Sequence, residues 1–321
     1  MRLTTYILAV LLAAASWSIG TGQPPPEPAL QAEVARLIRQ LDADRYEQRE
    51  QASQALRQIG TPALAALRQA RQHASMEVRW RARAIVDEMT VGVRRRELVA
   101  FCSQSDERLD LEQGMWLIAR VIDPEVQRSE ITRQLDALAA RVRERLGKGV
   151  DPAAADPQAA VAALRDVLFV QEGFTGNADD YSNPDNNAVH RVLTTHKGLP
   201  ILLSHVTISV ARRLRIPIAG VPVSPYIVKY DGARAPAGYA KDDIYFHPYE
   251  QGRLLSREDR VKDFAGEDPD RMEPEGSRRE ILLRMLRNLI SAYSNRGQGE
   301  KLEEAEELKS LLEAFAKPEE P

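Results

Sequence analysis

Apolar residues recur at three- and four-residue intervals along most of this 321-residue chain, and in one stretch that rhythm gives way. From Ile218 onward β-branched residues alternate. Two runs, Tyr226–Tyr230 and Ile244–His247, are separated by Asp231-Gly232 and a loop bearing Pro and Gly. Such a chain must bury its stripes mostly helix on helix, with room for one small sheet. The predicted class is mainly α with a small β-sheet (α+β).

The first stripes lie in residues 29–92. Val34, Leu37, Ile38 and Leu41 form one face, and Asp44 is placed to cap a second helix that runs through Leu56 and Ile59 to Gly60. Thr61-Pro62 opens a third helix, with Pro at a helical first position. Ser75 opens a fourth that is expected to reach about Met89. Glu47, Arg49, Ala52 and Leu56 recur as Glu77, Arg79, Ala82 and Val86. A recurrence of this kind in helix pairs resembles HEAT-like repeats, whose usual offering is a docking surface.

Helices continue over 97–147, a Gly-, Pro- and Ala-rich hinge follows to Ala155, and Asp156-Pro157 starts another helix. Gly173 to Asn187 reads as an ordered polar loop. Beyond it come a helix from Ala188 to Leu193 and a long one from Leu199 to Leu214, ended by Arg215-Ile216-Pro217. Ser277-Arg278-Arg279-Glu280 has the spacing of a capping box. The helix it opens and a last one, Lys301 to Phe315, make a helical hairpin (277–316) of tetratricopeptide type, with 317–321 as a disordered tail.

The N-terminus points to export. Arg2 precedes an apolar run from Tyr6 to Ala15, and small residues follow, so 1–22 reads as a signal peptide and 23–28 as a Pro-rich tether. An uncleaved anchor is the alternative; without it, no stable membrane insertion is expected. The implied location is periplasmic or extracellular. Cys102 is the single cysteine, so no intramolecular disulfide can form; its apolar neighbours suit a small buried hydrophobe better than a nucleophile. A net charge of -3 gives no whole-chain footprint for nucleic acid, and Arg94-Arg95-Arg96 reads as a solvated helix face.

A longer resemblance covers residues 97–315. Leu168-Phe169, Gly173-Phe174, Gly176-Asn177, Asp180-Tyr181, Pro184 and Asn186 stand in the order of the opening motif of the SirB-type transglutaminase-like family. His190-Arg191-Val192-Leu193, Lys197 to Ile201, Ala211 to Leu214 with Ile216-Pro217, and Gly252 to Asp259 resemble its later blocks. The resemblance implies a transglutaminase-like domain over 97–276. It also implies, for the wider superfamily, a Cys at the start of a buried helix with His and Asp on neighbouring strands. Carried onto this chain, those positions fall at or beside Pro200, at Ser224-Pro225-Tyr226 and at His247. None holds the superfamily's residue, so no catalytic residue is assigned.

Two rescue readings stand beside that one. Ser204 and His205 lie one turn into the helix, and Ser204 with His247 would make a cryptic hydrolase or acyltransferase. His190, His205 and His247 would be the ligands of a metal site, although no HxxxH or HxH spacing occurs. No metal and no cofactor is expected. Tyr226, Tyr249, Asn187 and His190 are the candidates for a binding surface, and Glu112 and the Asn177/Asn187 pair for holding loop and helix ends. The expected function is that of an exported, non-catalytic pseudoenzyme that binds a protein partner of unknown identity.

Overall fold

In the computed structural model, which describes residues 27–270, 272–274 and 276–316, the helical rhythm becomes helices and the alternating stretch becomes a sheet. The class is mainly α with a small β-sheet, as predicted. The expected signal segment, most of the tether and the expected tail lie outside the described residues. Glu27 and Pro28, expected at the end of the tether, instead begin the first helix. Two compact units adjoin in sequence at Arg96 and Glu97.

The first unit consists of α1 (Glu27–Gln40), α2 (Tyr46–Ile59), α3 (Leu64–Ala70, entered by a 3-10 turn Thr61–Ala63) and most of α4 (Met76–Cys102). Its core is aliphatic, with Val34, Leu41, Leu56, Leu67, Ile85 and Val86 among its buried members. Asp44 does not cap α2. Arg45 takes the cap position without a side-chain bond. The Arg49 guanidinium instead donates to the carbonyls of Ala43 at 2.7 Å and Asp44 at 3.0 Å. Thirty residues on, Arg79 donates to His73 and Ala74, both at 2.7 Å. One charge-assisted device thus ties the preceding connection to the helix in both copies of the pattern. The helix α4 passes the predicted end near Met89, because Gly92 costs only about 1 kcal/mol in a helix interior and no Pro follows.

The second unit begins with the last turns of α4 and holds α5 (Leu111–Ile122), α6 (Arg128–Leu146), α7 (Pro157–Arg165), α8 (Val189–Thr195), α9 (Pro200–Arg213), α10 (Arg257–Asp263), α11 (Arg278–Arg296) and α12 (Gly299–Ala314). Asp110 and Asp156 cap α5 and α7 by accepting from the amides of Gln113 and Ala159. Short strands β1 (Thr175–Gly176) and β2 (Lys197–Gly198) pair in parallel. The strands β3 (Ile218–Val221), β4 (Ile227–Tyr230), β5 (Ile244–His247) and β6 (Arg253–Leu254) form an antiparallel sheet in that order.

Strand alternation gives this sheet two buried faces. Tyr226, Val228, Tyr230 and Phe246 join the main core, which includes α9. Ile227 and Tyr245 turn the other way, into a smaller cluster with Leu255, Phe264 and Met272.

The start of α11 departs from the sequence expectation. Ser277 accepts from the Glu280 amide, but the Glu280 carboxylate pairs with Arg287 instead of reaching back. Asp106 caps the helix in another way: its carboxylate accepts from the amides of Arg278 and Arg279 and from the Ser277 hydroxyl. The reciprocal capping box forms at Ser256 and Asp259. Among the described residues no helix is long and apolar enough to cross a membrane.

Candidate functional site

Pro200 occupies the first position of α9 behind Leu199, where its missing N–H removes one of the donors a helix start leaves unpaired. The helix behind it is buried almost throughout. Ser204 is fully buried and its hydroxyl has no partner. His205 is also buried, with an unpartnered Nε2, and its ring centroid lies 5.6 Å from that of Tyr226. Burial pushes the His205 imidazole down to about 3, so it is neutral at pH 7.

Tyr226 is a correction. Expected at a binding surface, it is 1 % exposed. Its ring lies over Gly220, where a Cβ would meet the phenolic oxygen at 2.2 Å. The Arg284 guanidinium is 5.2 Å from the ring centroid and donates to the carbonyls of Pro222 at 3.0 Å and Val223 at 2.9 Å. The Ser224–Pro225 peptide bond just before it is cis. The ring fills the space beside α9, because strand alternation turns position 226 toward the main core.

His247 ends β5 and is also buried, with both ring nitrogens unpartnered. Alternation from Phe246 turns it to the face opposite Tyr226. Its Nε2 is 3.8 Å from a Glu250 carboxylate oxygen. Burial lowers its pKa, and Glu250 opposes that shift. Ser204 and His247 share no hydrogen bond, since neither side chain has any partner. A hydrogen-bonded serine–histidine pair is therefore absent from this geometry.

Asn187 is a second correction: it is buried, with an unpartnered Nδ2, rather than part of a surface. Asn186, not Asn187, pairs with Asn177. The Asn177 Nδ2 donates to the Asn186 Oδ1 at 2.9 Å, and the Asn186 Nδ2 donates to the carbonyls of Asp180 and Tyr181. These bonds shape the loop 173–187. His190 is largely covered; its ring nitrogens have no hydrogen-bond partner, and Nε2 lies 3.9 Å from an Asp123 carboxylate. Burial, with Arg191 nearby, lowers its pKa. No three metal-ligating side chains converge among the described residues.

Tyr249 is only partly buried, and its ring covers Gly176, where a Cβ would lie 2.4 Å away. The exposed ring of Tyr181 stands edge-on, 6.2 Å from it. Tyr181 belonged to the loop motif, yet no periodicity signalled that it would meet a residue 68 positions later. Glu112 holds the end of α9: its buried carboxylate accepts from Arg212 at 2.6 Å and from Arg213 at 2.5 and 3.0 Å. Cys102 is buried, and that burial pushes its thiol up to about 11, so no thiolate is available at neutral pH.

The sequence model of the transglutaminase-like superfamily matches residues 129–287. A UPF0162 protein of Xylella fastidiosa (strain 9a5c) is 33% identical over 201 residues, spanning 59% of this chain and 67% of that protein. A UPF0162 protein of Vibrio cholerae is 25% identical over 168 residues, 50% of this chain and 55% of that protein. F-box only protein 21 of Mus musculus is 34% identical over 96 residues, 29% of this chain and 15% of its own length. No solved structure matches. The matched segment contains α9 and the four-stranded sheet, and with it this chain belongs to the transglutaminase-like superfamily.

Proposed function

We propose that this protein is an exported, non-catalytic member of the superfamily, close to its SirB-type branch, that acts as a protein-interaction module outside the cytoplasm. In this reading HEAT-like helices, a vestigial transglutaminase-like core and a tetratricopeptide-like hairpin present surfaces rather than chemistry. The observation that carries it is the filling of the ancestral site. Pro200 stands at the helix start, Tyr226 is packed against His205 and Gly220, and His247 is buried with neither ring nitrogen hydrogen-bonded. Acyl transfer needs a nucleophile and base within hydrogen-bond reach, with a third group orienting the base. Here the buried imidazoles are held neutral and no nucleophile meets one.

Tyr249 with Tyr181 is the aromatic pair left accessible beside that core. Flat amphipathic rings of this kind serve as anchors in protein contacts. The test assays amide and ester substrates with the purified protein and with Ser204→Ala and His247→Ala. No turnover is expected in any of them. Turnover that disappears in either variant would defeat the non-catalytic reading. Export is tested by N-terminal sequencing of protein recovered from the cell envelope, where a start between about Ser16 and Gln23 is expected. An intact Met1 in the cytosolic fraction would overturn it.

A further inference from the structure

The first unit carries a groove of about 790 Å³ between α1 and α3. One wall is the row Leu30, Val34 and Ile38, four residues apart on α1, with Leu30 and Ile38 half-buried and Val34 buried at its floor. At about 1.5 Å of rise per residue that row is roughly 12 Å long. The facing wall is built from Pro62, Ala65, Ala66 and Ala70, small side chains that let an occupant approach the backbone closely. The charge around it has one sign. Arg39 and His73 line the groove, and no carboxylate does. The His73 Nδ1 accepts from the Ser75 amide at 3.1 Å, which in the neutral ring leaves the proton on Nε2, a donor. The unit as a whole follows suit: residues 27–96 hold thirteen arginines, no lysine and nine acidic residues.

The shape selects among occupants. Ala35, Pro62 and Ala65 are exposed, so the groove is open along its length and would cover one side of whatever lies in it. A small-molecule site normally covers most of its ligand. A helix, by contrast, needs only one stripe covered and can leave its charged flank in water. We propose that this groove docks an amphipathic peptide helix with acidic flanks, its apolar stripe on the Leu30–Val34–Ile38 row and a carboxylate at Arg39 and His73. The proposal rests on the interaction-module reading and gives that module a partner chemistry.

The probe is a labelled amphipathic peptide of about 18 residues, leucine on one stripe and glutamate on its flanks, compared with a lysine-flanked twin. Fluorescence anisotropy with the full chain should show saturable binding of the acidic peptide and binding of the twin weaker by about tenfold or more. Ala65→Glu should weaken the acidic peptide by a similar factor, and Arg39→Glu should abolish the preference between the two. Both residues are exposed, so circular dichroism and thermal melting should be unchanged. Equal binding of the twins, no binding of the acidic peptide, or binding indifferent to Ala65→Glu would overturn the proposal. Laurate binding that Ala65→Glu removes, with no peptide binding, would overturn it in favour of an acyl carboxylate. The outcomes separate cleanly: hydrolytic turnover undoes the non-catalytic reading and leaves the groove untouched, whereas peptide failure without turnover discards only the occupant.

Discussion

The two compact units are held together by different kinds of contact. In the first, the same bond recurs at a fixed spacing, Arg49 to Ala43 and Asp44, then Arg79 to His73 and Ala74. Its core is aliphatic, without a buried aromatic ring among its described members. In the second, decisive bonds close over long stretches of chain. Glu112 meets Arg213 and Arg279 reaches the Cys102 carbonyl, while Lys301 donates to the carbonyls of Val121 and Ile122. Its core includes Phe101, Phe174, Tyr226, Phe246 and Tyr293. The two copies in the first unit are joined by bonds from α2 to α4, Arg57 to Glu88 and the buried Arg81 to Glu50 and Ser53. In the second unit the joined residues stand 101 to 180 positions apart.

Acid should separate the two units most strongly. The histidines whose pKa burial lowers, His190, His196, His205 and His247, all belong to the second unit. A group depressed in the folded state binds its proton more readily when unfolded, so stability is full above the ordinary histidine value and is lost as pH falls. For His205 the loss runs from about 6.5 down to about 3, with a slope of about 1.4 kcal/mol per pH unit. Chemical denaturation across that range should show the second unit losing stability first, by an amount on the order of 4 kcal/mol at the acid end. His205→Leu should flatten the dependence while costing little at pH 7, because the Nε2 it removes has no partner. An unchanged acid slope in that variant would break the assignment.

Arg279 comes next. It is buried and donates to the carbonyls of Cys102 at 3.1 Å, Leu312 at 2.8 Å and Gln104 at 2.8 Å. Arg279→Met should destabilise the second unit by roughly 2–4 kcal/mol in urea titrations, since it leaves buried carbonyls unpaired. A loss below 1 kcal/mol would show that α11 and α12 do not depend on this residue. Gly232→Ala tests closure through the backbone. A Cβ there would meet the Lys241 oxygen at 2.4 Å and Asp242 backbone atoms at 2.5 Å, which no side-chain rotation can relieve. The expected cost is about 1–3 kcal/mol.

The smallest effects sharpen the comparison from the other side. Arg49→Ala and Arg79→Ala each remove one copy of the same device in the first unit. Each should cost about 1 kcal/mol, with Arg49→Ala the larger by a few tenths because Arg49 also pairs with Glu77 at 3.1 Å. Costs that differ severalfold would mean that the recurring bond is a coincidence of geometry and not a repeated structural role.

Much of the first unit could be read before any coordinates, because Arg49 and Arg79 sit at the same place in a recurring pattern. Even there the mechanism differs: Asp44 does not cap α2, and the guanidinium five residues later ties the preceding carbonyls to the helix while leaving its first amides without a side-chain cap. In the second unit the strands Ile244–His247 and Ile227–Tyr230 came within a residue of their predicted limits. The candidate surface fared worse. Tyr226 and Asn187 are buried because exposure is a property of what packs on a residue, and those neighbours, Arg284 and Gly220 for Tyr226, stand elsewhere in the chain.

What the sequence by itself determined is the class of fold and the positions of most helices. Each depends on residue type and short-range spacing, which sterics and burial translate directly into local structure. Tertiary structure alone decided that Tyr226 and His247 are both buried, that Asp106 serves the start of α11 from 171 or more residues away, and that Tyr181 meets Tyr249 over Gly176. Those outcomes rest on long-range packing and on hydrogen-bond partners brought together only when the chain closes, and no local period encodes them.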